Sequence, residues 1–244
     1  MSRRFAHLVV IAAVFGLVSL AFARVNYAWN WAGVWEYRAK FLQGWLTTVG
    51  LSLAALVVST LIGGIAAFCL QSKNPLVEAV GRVYVELIRG TPLLVQLLIG
   101  FYVIASAIGL ENRYLCGVLV LSLFSGAYMA EIFRGGLAAI PATQRDAARA
   151  IGLSPWQSLR LVILPQAVRL VLPAVAGQFV SLVKDSSLLS VIAISELTLN
   201  AQEVNSFTYS TLESYLPLAA GYLLLTLPLS ALSRWLESRF RYEA

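Results

Sequence analysis

Charge is scarce in this sequence: Asp, Glu, Lys and Arg make up 12% of its 244 residues, where a soluble domain carries about a quarter. So few charges cannot solvate a water-facing surface, and an ordinary soluble domain is excluded. Histidine and cysteine are scarcer. One histidine, His7, and two isolated cysteines, Cys69 and Cys116, cannot assemble a usual metal-ligand cluster. An intramembrane serine hydrolase would need a histidine base within a span, whereas His7 falls at a membrane edge. The two cysteines lie at or near predicted span ends on opposite sides, so no disulfide is expected. The phosphate-cradling pattern Gly-x-x-x-x-Gly-Lys-Ser/Thr is also missing. No catalytic residue, metal or cofactor is therefore expected.

What is present is apolar: 59% of residues are hydrophobic and the mean hydropathy is +0.78. A bilayer-spanning helix needs about 20 such residues in a row. Runs of this kind are Phe5 to Phe22, Phe41 to Leu70, Thr91 to Leu110, Tyr114 to Phe133, Leu170 to Ile194 and Tyr215 to Trp235. They are long and continuous rather than alternating, which predicts helices and not barrel strands. The expected fold is all-α, a polytopic bundle.

Cytoplasmic loops retain Lys and Arg. With a cytoplasmic N-terminus, only Arg24, Arg38, Lys40 and Arg113 fall outside; Lys184 falls within a span, and every other Lys and Arg is cytoplasmic, Arg89 included. The net charge of +6 is then a mark of membrane topology, and nucleic-acid binding is the weaker reading of it. Arg3, Arg4, the apolar run from Leu8 and Ala21-Phe22-Ala23 also have the three parts of a secretory signal peptide; an uncleaved first span is the favoured reading. Between Asn26 and Lys40, Tyr27, Trp29, Trp31, Trp35 and Tyr37 suit either an outer interfacial segment or an aromatic patch packed on protein.

The longest polar interruption runs from Arg134 to Arg169. Thr143 is a candidate N-cap with Asp146 three residues on, and Gly152 can supply the left-handed residue that ends that helix. Ser154, Pro155 and Gln157 form a capping box for a second helix, expected to stop before Pro165. Helix, glycine turn, helix on a cytoplasmic face makes a rigid protrusion for a soluble partner. A secondary transporter or channel would account for the spans without it, and a mere scaffold would leave in-span charge unexplained.

Asp146, Ala147 and Ala148, then Gly152, then Val162, Leu164 and Pro165 fall at the spacing of a Glu-Ala-Ala loop closed by Ile-x-Leu-Pro. The stretch resembles the EAA loop of ABC-importer permeases, with Asp for Glu and Val for Ile. Glu86 to Gln96, Ser125 to Gly136, Ser181 to Leu188, Glu196 to Thr198 and Ala201-Gln202 resemble polar amino acid permeases in particular, and the likeness covers roughly residues 41 to 235. It implies a five-helix permease core at 41–235, preceded here by the segment 1–40 and followed by a cytoplasmic tail at 236–244. It further implies a bacterial inner-membrane location, polar amino acid cargo and alternating access. The implied partners are an ATP-binding cassette ATPase subunit docked on Asp146 to Gly152, a second permease subunit, a solute-binding protein and membrane lipid. Leu164 and Pro165 complete the coupling motif.

For the pathway, polar groups within spans are the candidates, since hydrocarbon tolerates them only beside a cavity or a partner. Asp185 leads, with Ser181, Ser186, Lys184 and Gln178 near it on one helix; Gln96, Ser125 and Tyr128 are weaker. Lys184 and Asp185 could equally belong to a subunit interface or pair with other helices.

Overall fold

The structure is a computed structural model that describes residues 27–240 and a few isolated positions before them. The expected first span, Phe5 to Phe22, and the signal-peptide alternative fall among residues mostly outside that description. Residues 27–240 form nine helical elements: α1 (Trp31–Trp35), α2 (Arg38–Leu70), α3 (Pro75–Gly90), α4 (Leu93–Ala105), α5 (Arg113–Ala138), α6 (Ala142–Ala150), α7 (Pro155–Ile192), α8 (Leu197–Thr208) and α9 (Thr211–Phe240). Helices α2, α5, α7 and α9 are each long and apolar enough to cross a membrane. The chain is all-α, and no strand occurs among the described residues.

The bundle is built on α2 against α5. Thr48, Ser52, Ala55, Ser59, Gly63 and Ala66 recur at helical spacing on the buried face of α2, and small side chains let two backbones approach in a bilayer, where packing replaces the hydrophobic effect. Ser122 of α5 donates to the Ala55 carbonyl at 3.4 Å. A side chain at Gly63 would place its Cβ 2.4 Å from that of Met129. The opposite face of α2 carries Leu53, Val57, Leu61, Ile65 and Phe68, all exposed, as a lipid-facing stripe should be.

A straight third span over Thr91 to Leu110 does not form. Instead α3 and α4 make one broken span, bent by 106°. Pro92 has no N–H, and its ring drives Thr91 out of the helical region, to φ −121° and ψ 145°. The bend frees backbone carbonyls that hydrocarbon would not solvate. Gln96 satisfies them: its Nε2 donates to the carbonyls of Ile88 (2.7 Å) and Thr91 (3.2 Å) and lies 2.8 Å from the Thr91 hydroxyl. The Thr91 hydroxyl in turn donates to the Leu87 carbonyl at 2.9 Å. Arg89, assigned to a cytoplasmic loop by charge counting, is the last-turn cation of α3 within this broken span.

At one end of the bundle, the tips of α2 and α5, the helix α6 and the start of α7 gather Lys73, Arg145 and Arg149 around one cavity; this is the basic end. Helix α6 begins at Ala142, capped by Pro141, so Thr143 lies inside it and is no N-cap. Proline fixes its own φ and lacks a donor, which lets it open the helix two residues early. Gly152 takes φ +81°, and Ser154 with Gln157 forms the capping box that starts α7. That helix does not stop before Pro165. Its ladder widens into a π turn over Leu159–Ile163, where the Leu164 N–H bonds the Leu159 carbonyl five residues back. The proline, having no N–H to give, then enters where the register has already changed.

At the opposite end, α8 inserts beside α2, with Leu197 N–H on the Thr48 hydroxyl (3.2 Å) and Asn200 on the Lys40 carbonyl (2.8 Å). Lys40 pairs with Glu203. Glu196, fully buried, caps α8 through the N–H groups of Thr198 and Leu199, each 2.8 Å away, and accepts from Tyr222 at 3.0 Å. Burial pushes its carboxyl above the usual range, against the opposing pull of those backbone and phenol donors. The aromatic segment is divided between its two expected roles. Tyr27 donates to Glu213 at 2.5 Å and Asn30 N–H bonds the same carboxylate, while Trp29, Trp31 and Trp35 remain exposed.

Candidate functional site

Two regions hold the polar groups that a transport function needs. The first lies at mid-span, between α3, α5 and α7. Ser125, one turn from Tyr128 on α5, is buried and takes a hydrogen bond from Gln178 Nε2 of α7 at 3.3 Å. Gln178, Ser181 and Asp185 share one face of α7 by their three- and four-residue spacing. The guanidinium of Arg89 sits over the Tyr128 ring, 5.2 Å from its centroid, and Phe124 lies 5.2 Å from the same ring. Arg89 is exposed and Asp185 half-buried; neither makes a close ion pair among the described residues, although Arg89 acts electrostatically on Glu131 and Lys184 on Asp185. Arg89 thus meets Tyr128, and Gln178 meets Ser125, while Asp185 stands two turns along α7 from Gln178 on the same face.

Not every candidate joins it. Gln96 is engaged at the bend of the broken span. Ser186 is buried with its hydroxyl on the Val183 carbonyl at 2.8 Å. Lys184 is exposed, off the face that carries Gln178 and Asp185.

The second region is the protrusion at the basic end. Asp146, Ala147 and Gly152 are exposed, and so are Leu164 and Pro165 on the first turns of the span; Ala148 alone among the motif residues is buried, at 2%. Arg145 donates to the Leu137 carbonyl at 3.1 Å, and Gln166 bonds the Val162 carbonyl at 2.9 Å and reaches Gln144 at 3.5 Å. Ile140, Ile163 and Ala167 pack beneath as a small core of their own. The loop is thus braced against α5 and α7.

The family model of the binding-protein-dependent transport system inner membrane component matches residues 59–242. This chain belongs to that family. It is a multi-pass inner-membrane permease subunit of the ABC-importer type. The permease is 34% identical to the glutamine transport system permease protein of Escherichia coli strain K12, over 87% of this chain and 98% of that one. It is 34% identical to the nopaline transport system permease protein of Agrobacterium fabrum, over 83% and 90%. Among solved structures it resembles the crystal structure of an amino acid ABC transporter with histidines, at 35% identity and TM-score 0.81 over 87% of this chain and all of that one. The methionine transporter MetNI in inward-facing form shares the fold, at 16% identity and TM-score 0.70.

Three features of the permease escape sequence reasoning. Arg89 is one; nothing in a charge count separates a cation in a broken span from one in a loop. The other two are Ile151 and Trp156, 76% and 67% exposed on either side of the Gly152 turn. Their signal was legible, since two large apolar residues in a polar loop are candidates for a partner surface.

Proposed function

We propose that the permease carries polar amino acids inward by alternating access, as one of two permease subunits, with its basic end and C-terminus cytoplasmic. A separate ATPase receives α6 and the Gly152 turn, with Asp146, Ala147, Ile151 and Trp156 as its contact surface; Ala148, Leu164 and Pro165 hold that surface on the span. ATP-driven closure of that partner acts on the permease only if it binds the two states of the bundle unequally. A solute-binding protein delivers cargo to the end that carries α8. The cargo class follows the relatives, named for glutamine and nopaline.

The observation that supports the site is the Arg89 guanidinium over the Tyr128 ring beside the Gln178–Ser125 hydrogen bond, with Asp185 on the same face of α7 as Gln178. Arg89 meets the carboxylate of a zwitterion and Asp185 its ammonium, with Tyr128, Ser125, Gln178 and Ser181 as the remaining wall. Intramembrane ionisable groups without a partner are costly and are retained for function. A charged hydrogen bond contributes about 1.5–3 kcal/mol, so Arg89→Gln and Asp185→Asn should each weaken apparent affinity by roughly 10- to 100-fold. The test is amino acid uptake by the complex in proteoliposomes. Unchanged apparent affinity in either variant removes that residue from the site.

A further inference from the structure

At the basic end a cavity of about 790 Å³ lies between the tips of α2 and α5, helix α6 and the start of α7. That size is within the range of about 300–1,000 Å³ typical of small-molecule sites. Its walls include Phe68, Leu164 and Val168, which are 77%, 47% and 44% exposed. Its rim carries Lys73, Arg145 and Arg149, and no acidic residue lines it. Lys73 has no ion-pair partner among the described residues. Arg149 faces Asp146 at 3.9 Å, a contact between two side chains that are 77% and 70% exposed, and such pairs contribute little. Phe68 is also the last member of the exposed apolar stripe on α2, so the groove is continuous with that stripe.

We propose that this groove binds an anionic phospholipid of the inner leaflet. The phosphate sits among Lys73, Arg145 and Arg149, and one acyl chain runs along Phe68, Leu164 and Val168 into the stripe of α2. A cationic rim over an apolar wall at the depth of the headgroups is the combination such a lipid requires: a free anion has no use for the wall, and a zwitterionic lipid none for three cations opposed only by the exposed Asp146. Because the groove is framed by α6 and the first turns of α7, an occupant would brace the protrusion from the membrane side.

The test is native mass spectrometry of the intact transporter complex, given equimolar phosphatidylglycerol and phosphatidylethanolamine of matched chains. Phosphatidylglycerol should be retained preferentially. Each cation near a membrane surface is worth about a fivefold change in binding, so Lys73→Gln should lower retention about fivefold and Lys73→Gln with Arg149→Gln about 25-fold, while Lys73→Arg retains it. Lys73 is exposed in the bend between α2 and α3, and Arg149 is exposed on α6, so neither substitution touches the packed core. Equal retention of the two lipids, or undiminished retention in the double variant, would overturn the proposal. So would displacement by glycerol phosphate, which marks an anion site without a chain, or binding to the isolated permease but not to the complex, which marks a surface the ATPase covers. The readout is independent of transport, so the cargo assignment can fail without it.

Discussion

Replacing Gln96 by leucine separates a structural role from a transport role at one position. In the wild type its amide Nε2 serves the carbonyls of Ile88 and Thr91 at the bend of the broken span. Leucine keeps the volume and strands both acceptors. An unsatisfied buried polar group costs about 1–3 kcal/mol, and side-chain hydrogen bonds measured within bilayers average about 0.6 kcal/mol because the unfolded reference also finds partners. Gln96 Oε1 is itself buried without a partner, so its removal returns part of the loss. Two carbonyls lost and one oxygen recovered give about 0.6 kcal/mol on the membrane scale and up to about 3 kcal/mol on the other, which bracket the net destabilisation. Gln96→Glu should be worse, because it removes the donors and adds a charge beside two carbonyls. Steric trapping in bicelles measures the unfolding free energy directly, and uptake in proteoliposomes measures apparent affinity. A leucine variant within 0.5 kcal/mol of wild type (roughly the floor of a single-site effect) but with weakened substrate affinity would refute this reasoning and return Gln96 to the pathway.

Other outcomes follow from the packing. Gly63→Val should destabilise the α2 and α5 contact by at least about 1–3 kcal/mol, the usual cost of overpacking, because its Cβ would meet Met129 Cβ at 2.4 Å and the Gly126 carbonyl at 3.0 Å; a variant as resistant to denaturant as wild type contradicts the close approach. Glu196→Ala removes the cap of α8 and should cost about 0.5–2 kcal/mol, read as faster hydrogen exchange confined to Leu197–Thr208. Burial raises the folded pKa of Glu196 above its unfolded value, so its protonation favours folding below the unfolded pKa, and that contribution is lost as pH rises through the folded one. Denaturation of Glu196→Gln should therefore lack the part of the acid-side pH dependence that wild type shows, and identical pH profiles would exclude the assignment.

Much of this architecture could be read from the chain because a bilayer imposes a simple test on each segment. Tyr114 to Phe133 and Tyr215 to Trp235 lie inside the observed helices Arg113–Ala138 and Thr211–Phe240, which outrun them by Arg113 alone at one end and by about a turn at each of the others. The capping box at Ser154 and the glycine turn at Gly152 are local devices, set by residues within one turn of each other. The broken span was hidden for the opposite reason. Glu78, Arg82, Glu86 and Arg89 make Pro75–Gly90 too polar for a hydropathy window, and only tertiary contact reveals that Tyr84 reaches the Leu123 carbonyl at 2.6 Å and Val85 packs with Ala66, Ala127 and Ala130. Arg89 was lost with it. Gln96 looked like a cavity residue because a lone amide in a span is ambiguous until the bend supplies its partners. Helix α8, at Leu197–Thr208, is too short and mixed in composition for either a span or a loop signal.

The central claim is that force enters the permease through α6 and the Gly152 turn. Its most direct test is ATP-driven amino acid uptake by the reconstituted complex carrying Gly152→Asp, compared with membrane insertion and complex assembly of the same variant. The backbone at Gly152 is left-handed and the position exposed, so the substitution strains one turn and places a charge at the tip while leaving the spans intact. Insertion and assembly should be normal, with substrate-stimulated ATP hydrolysis and uptake lost. Near-normal coupled uptake in this variant, or uptake driven by an ion gradient with no ATPase present, would contradict the claim.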